Sequence, residues 1–198
     1  MTESSAGVSF RETMSGGFAL GETDPVAGAR RGARDATSLV LHASLSIADV
    51  RAFVSDASHT GTLDGTVSFQ PLGSDMPADS GRFRLFTKTA DPELKLMEYL
   101  VTFRHEGDAY CLSGAKEVRR GSPLRGWTDT TTLPCRLHAG TDPAGRVVGA
   151  GVLRISPLGF ARQLLSFRTV NGSAPGAKAR ALGGFFRFFA GELLDSYL

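Results

Sequence analysis

The run Tyr110-Cys111-Leu112-Ser113-Gly114-Ala115-Lys116-Glu117-Val118 alternates at the two-residue period of a strand, and so does Trp127-Thr128-Asp129-Thr130-Thr131-Thr132-Leu133 after a short break. The first places Tyr110, Leu112, Gly114, Lys116 and Val118 on one face; the second places Trp127, Asp129, Thr131 and Leu133 on one face. Each apolar face therefore carries one charge. A Lys and an Asp on the inward faces of consecutive strands must pair with each other or with a ligand, because an unpaired buried charge costs several kcal/mol.

Outward from this pair the same alternation recurs. Val8 to Met14 sets Val8, Phe10, Glu12 and Met14 against Ser9, Arg11 and Thr13, which adds a third charge, Glu12, to an apolar face. Thr37 to Leu45, Thr62 to Gln70, Gly81 to Thr89, Leu96 to His105 and Val147 to Ile155 read as further strands. Leu96 to His105 is apolar on both faces, and Met97, Tyr99, Val101 and Phe103 are taken as its inward set because that leaves Glu98 and Arg104 in water. Glu106-Gly107-Asp108 and Asp142-Pro143-Ala144-Gly145 are turns, and Pro71 to Ser80 reads as a turn cluster. Residues 16–36 are rich in Gly, Ala and Arg without a period and read as a long loop, either a lid or, over Ala27 to Arg34, disordered.

Two helical signals interrupt or follow the strands. Ser46 reads as the N-cap of a short helix, Ile47 to Val54. After Pro157 the period changes to about 3.6 residues. Leu158 to Phe167 follows with Ser156 as N-cap, and then a longer helix, Ala177 to Tyr197, carries a stripe of Leu182, Phe185, Phe186, Phe189, Leu193 and Tyr197. That stripe packs on the sheet or closes one end of it; the rival uses are a homodimer contact or a membrane surface, with Lys178, Arg180 and Arg187 beside it.

Eight strands with one apolar face each, tight turns and helices gathered at residues 157–198 are best satisfied by a mainly β fold: a closed antiparallel β-barrel in a single domain spanning 1–198. Gly65, Gly114, Gly149 and Gly151 inside strands permit the coiling that closure needs. Such a barrel has an interior wide enough for one small ligand or for a filling of side chains.

Composition bounds the function. With 198 residues, 41% hydrophobic, 21% charged and a net charge of +2, the chain shows no basic footprint for nucleic acid. No run approaches the ~20 apolar residues of a membrane span, and the first residues lack a secretory signal, which points to a cytoplasmic protein. Cys111 and Cys135 lack the spacing of a zinc site and read as buried free thiols, so no metal is expected.

The runs Phe10-Arg11-Glu12-Thr13-Met14-Ser15-Gly16, Gly114-Ala115-Lys116-Glu117-Val118-Arg119, Trp127 to Leu133 and Phe160-Ala161-Arg162-Gln163-Leu164 resemble a module inside long bacterial sterol-oxidase-like proteins. There it looks like a segment between a flavin-dependent glucose-methanol-choline type oxidoreductase part and an α/β-hydrolase part. In architecture the expected barrel is lipocalin-like or allene-oxide-cyclase-like. The resemblance implies a sterol-, lipid- or polyketide-like ligand, and it carries no catalytic residues to transfer. No flavin or other cofactor is inherited, because Gly149-Ala150-Gly151 falls within a strand rather than in a turn before a helix.

Two functions follow as expectations. In the first, Glu12, Lys116 and Asp129 act as acid, base and orienter in a cavity lined by Phe10, Met14, Tyr99, Phe103, Tyr110 and Trp127, and isomerise or cyclise a hydrophobic substrate without a cofactor. In the second, the barrel is a non-catalytic binding module that serves an oxidoreductase or hydrolase. The bland alternative for the three charges is an ion-pair network that fixes strand register. His42 and His138 fall on polar faces, His59 and His105 in or beside turns, and Ser113 has no adjacent nucleophile motif, so acyl transfer is not argued from the sequence.

Overall fold

A computed structural model describes residues 6–121, 128–171 and 175–197. Among these residues nine strands form one sheet: β1 (Gly7–Leu20), β2 (Ser38–Ile47), β3 (Thr60–Phe69), β4 (Gly73–Lys88), β5 (Leu94–His105), β6 (Asp108–Arg119), β7 (Thr132–Ala139), β8 (Val147–Arg154) and β9 (Arg168–Val170). The helices are α1 (Pro25–Arg34), α2 (Val50–Ser55), α3 (Pro157–Leu165) and α4 (Pro175–Tyr197). β2 through β8 pair in chain order, β8 pairs β1, and β1 returns to β2, so eight antiparallel strands close into a barrel with helices at the end of the chain. The expected architecture is therefore correct, and so are the inward sets of β5 and β6: Met97, Tyr99, Val101, Phe103, Leu112, Lys116 and Val118 are all buried.

Several local readings need correction. Residues 16–36 are not a loop. β1 runs on to Leu20, and Asp24 then caps α1 by accepting from the Ala27 N–H, with Pro25 at the first helical position. The glycines that hid the helix are what lets it dock: a Cβ at Gly28 would run into the Ala150 carbonyl, and one at Gly17 into the Ala29 carbonyl. Small residues here mark close packing of α1 on β1 and β8, not chain freedom.

The Pro71 to Ser80 turn shrinks to a tight connection closed by Leu72 N–H to Phe69 O, and β4 begins at Gly73. Asp75 sits in the left-handed region at φ 50° and the β3–β4 register shifts there, so the turn-forming residues build a bulge inside a strand. The cap of α2 is Asp49 rather than Ser46, its carboxylate accepting from Arg51 and Ala52 N–H. Residues 128–131 form a helical turn and β7 starts only at Thr132, so the second of the opening runs is mostly not strand. Threonine's strand preference is a packing preference, and among the described residues β6 beyond Gly114 has β5 as a partner on one side and no strand on the other: pairing with β7 covers Tyr110 to Gly114.

α4 lies across the barrel end where β1 begins. Phe185 is 1% exposed against Phe10, while Phe188 and Phe189 meet Phe53 and Phe86 edge to face. Phe186 departs from the expected stripe at 42% exposure. Lys95 on β5 pins the far end of the helix through Glu192 and Asp195 at 2.9 and 2.7 Å. Burial pulls the Lys95 ammonium down, but the two carboxylates outweigh it and the net shift is upward. Among the described residues no helix is long and apolar enough to cross a membrane.

Candidate functional site

β1 brings Glu12, β5 brings Tyr99 and β6 brings Lys116 to one place inside the barrel, each on the inward parity of its strand. The Lys116 ammonium donates to Glu12 Oε1 at 2.9 Å and to the Tyr99 hydroxyl oxygen at 3.1 Å, and lies 4.7 Å from the centre of the Tyr99 ring. Both charged side chains are 2% exposed. Such a pair is held by geometry: breaking one partner leaves the other charge buried and uncompensated. Burial, then the nearby Glu12 carboxylate, hold the Tyr99 hydroxyl well above its ordinary range, so it stays a proton donor.

The wall beside this cluster is unusual. β1 pairs with β9 over Gly7 to Ser9 and with β8 at Ser15 and from Phe18 to Leu20. Between these, Phe10 to Met14 have no strand partner on that side among the described residues, and α3 packs into the gap. From α3, Gln163 Nε2 donates to Glu12 Oε2 at 2.9 Å, while its Oε1 is buried without a hydrogen bond. Directly outside lies a cavity of about 660 Å³ bordered by Arg11, Glu12, His42, Arg154, Arg162 and Gln163. Gln163 thus stands between an open cavity and the buried ion pair.

Asp129 does not join the other two charges. It sits half-buried in the 128–131 turn and accepts from the Tyr197 hydroxyl at 3.0 Å, tying that turn to the end of α4. Of the residues expected to line a ligand cavity, Phe10, Met14, Tyr99 and Phe103 are buried and Tyr110 is half-buried; Trp127 lies outside the described residues. They are packed, not spaced: Phe10 stacks on Phe167 at 4.6 Å and Phe103 on Tyr110 at 5.7 Å. Met14, Phe18, Leu41, Phe69, Phe83 and Phe103 are at most 1% exposed, and a water-sized void beside them would leave accessible area on them. Around these residues the lumen is filled by side chains.

Both cysteines are free and buried, as the sequence implied. Burial pushes Cys111 up to about 11 and Cys135 up to about 12, so neither offers a thiolate near neutral pH. Among the described residues, no group of three or more His, Cys, Asp or Glu is placed to hold a metal ion.

Sequence reasoning missed one constellation. His138 is not at the surface but 5% exposed, with its ring nitrogens 2.9 Å from Ser113 Oγ and 2.9 Å from the Gly145 carbonyl. Ser113 and His138 stand 25 residues apart in the chain on adjacent strands, and only the β6–β7 register puts them together. Their shared outward parity was readable; the register was not.

Fold and site together define a closed β-barrel with a filled lumen, a buried carboxylate–ammonium pair behind a helix-closed gap in its wall, and a Ser–His pair on its outer face. No family model, no curated protein and no solved structure matches this chain.

Proposed function

We propose that the protein binds an amphipathic small molecule, with an apolar sterol-, lipid- or polyketide-like body and an oxygen-bearing head that engages Glu12 and Lys116. The observation that carries this reading is the placement of the pair: a 660 Å³ cavity lies against the wall gap, and Gln163 of α3 is the side chain between them. α3 has no buried residue of its own and holds an orphaned buried carbonyl at Gln163, so displacing it disrupts little packing. The filled lumen sets the condition on this reading: a ligand enters by moving α3 and the side chains behind it, and it takes over the hydrogen bonds of Gln163.

A second reading, cofactor-independent isomerisation or cyclisation, is supported by the contact of Lys116 with both Glu12 and Tyr99, which sets two proton donors around one carboxylate. Asp129 has no part in it, being engaged by Tyr197. Two free, buried cysteines are in keeping with action in the cytoplasm.

The test is a thermal-shift screen of sterols, fatty acids and polyketide-like compounds. A ligand at 100 times its dissociation constant stabilises the fold by about 2.7 kcal/mol, and the shift disappears in Lys116→Met. A panel that leaves the midpoint unmoved removes the binding reading. Recovery of every bound compound chemically unchanged after long incubation removes the catalytic one.

A further inference from the structure

The outer wall of the barrel carries a second concavity, which shares no lining residue with the cavity beside Glu12. It measures about 470 Å³ and is bordered by Arg82 and Arg84 of β4, Glu98 of β5, Ser113 and Glu117 of β6 and Arg136 of β7; Arg84 is paired with Glu98 at 3.8 Å, and three guanidinium groups against two carboxylates leave the border net positive. Ser113 is half-buried and borders this space, with His138 behind it, 5% exposed. A carbonyl oxygen only accepts, so the contact at 2.9 Å from Gly145 O requires the proton on His138 Nδ1. In the neutral ring Nε2 is then left as an acceptor, and the 2.9 Å contact with Ser113 is a hydroxyl donating to a base. Nucleophile, base and a fixed orienting acceptor are joined by successive contacts, with open volume beside the nucleophile.

We propose that Ser113 and His138 form a nucleophile–base pair that hydrolyses esters whose acyl or alcohol part bears an anionic group. Ser113 Oγ attacks the ester carbonyl as its proton passes to His138 Nε2. The bond to the alcohol oxygen breaks, and the departing alkoxide takes that proton. Water then attacks the acyl-serine, giving its proton to His138, which returns it to Ser113 as the acid leaves. Arg136 lies directly across the β6–β7 ladder from Ser113, and Arg82 lies two strands away on the other side, across Leu100 of β5. Their guanidinium groups supply positive charge for the developing oxyanion and for the substrate's anionic group. The β7–β8 loop supplies the orienting carbonyl, so the pair is complete within one chain.

The experiment treats the whole protein with a fluorophosphonate probe and with aryl esters, one neutral and one carrying a carboxylate. Intact-mass and peptide mapping are expected to show one phosphonyl group on Ser113. Ser113→Ala should lose the label and at least about a hundredfold in kcat/KM, with its melting midpoint and any ligand-induced shift of the Glu12–Lys116 site unchanged. His138→Gln should slow labelling by a similar factor, with circular dichroism confirming its fold. Arg136→Gln should erase the preference for the charged ester. A label elsewhere or nowhere, undiminished hydrolysis by Ser113→Ala, or equal turnover of both esters by the unaltered protein overturns the proposal. None of these results touches ligand binding at Lys116, so the two readings fail separately.

Discussion

Lys116 is costly to separate from its partner. Its ammonium is enclosed by Glu12 and Tyr99, so Lys116→Met removes a charge and strands another in the core. The expected loss is about 3–5 kcal/mol of stability by urea denaturation, and the double variant Glu12→Leu with Lys116→Met should recover most of it. Equal losses in the single and double variants would mean that the two groups are not coupled. That Glu12 and Lys116 share an interior was legible in the sequence, because each interrupts an alternating apolar face. That Asp129 does not join them was not legible: a run of threonines favours a strand, but β7 pairing on β6 stops at Gly114, and the helical turn that forms instead sets Asp129 against Tyr197.

At the scale of elements, α1 shows how composition misleads. Gly and Ala without a period resemble a loop, yet Gly28 lets α1 rest on the β8 backbone at Ala150. Gly28→Ala forces a methyl group into that carbonyl and should destabilise the protein by about 1–3 kcal/mol. Gly183 on α4 faces open space, and Gly183→Ala should instead stabilise by about 0.4–1 kcal/mol. Thermal melts of the two variants moving the same way would contradict this account of α1. α3 makes the opposite point. Its N-cap Ser156 and Pro157 were readable, and its bounds are nearly those expected, but its role as a wall segment follows from where β8 ends and β9 begins.

Over the whole molecule, three buried protons on adjacent strands make the fold sensitive to alkali. An unfolded thiol ionises near its ordinary 9.0, whereas burial holds Cys135 to about 12. Above the lower value the unfolded chain sheds a proton that the folded chain keeps. Stability is therefore full below it and falls with rising pH, by about 1.4 kcal/mol per pH unit for this thiol, until the folded value is reached. Cys111 adds the same effect up to about 11, and Tyr99, also held above its usual range, joins at higher pH. Urea midpoints measured from neutral pH upward should drop steadily, and Cys135→Ala should flatten the slope by one proton's worth. A slope unchanged in that variant would show that Cys135 is not the group responsible.

Taken alone, the sequence determined the number of barrel strands, which face of most of them turns inward, the aromatic helix at the end of the chain, and the presence of Glu12 and Lys116 among apolar neighbours. These are local properties: a side chain's parity along a strand, or its angle around a helix, depends only on the residues beside it. Tertiary structure alone decided that the lumen is filled, that Gln163 shields Glu12, that Asp129 answers to Tyr197, and that Ser113 meets His138. Each of those depends on how segments tens of residues apart are set against one another; for Ser113 and His138 one residue of strand slip would turn the side chain to the opposite face, and for Gln163 and Tyr197 the docking of a helix decides.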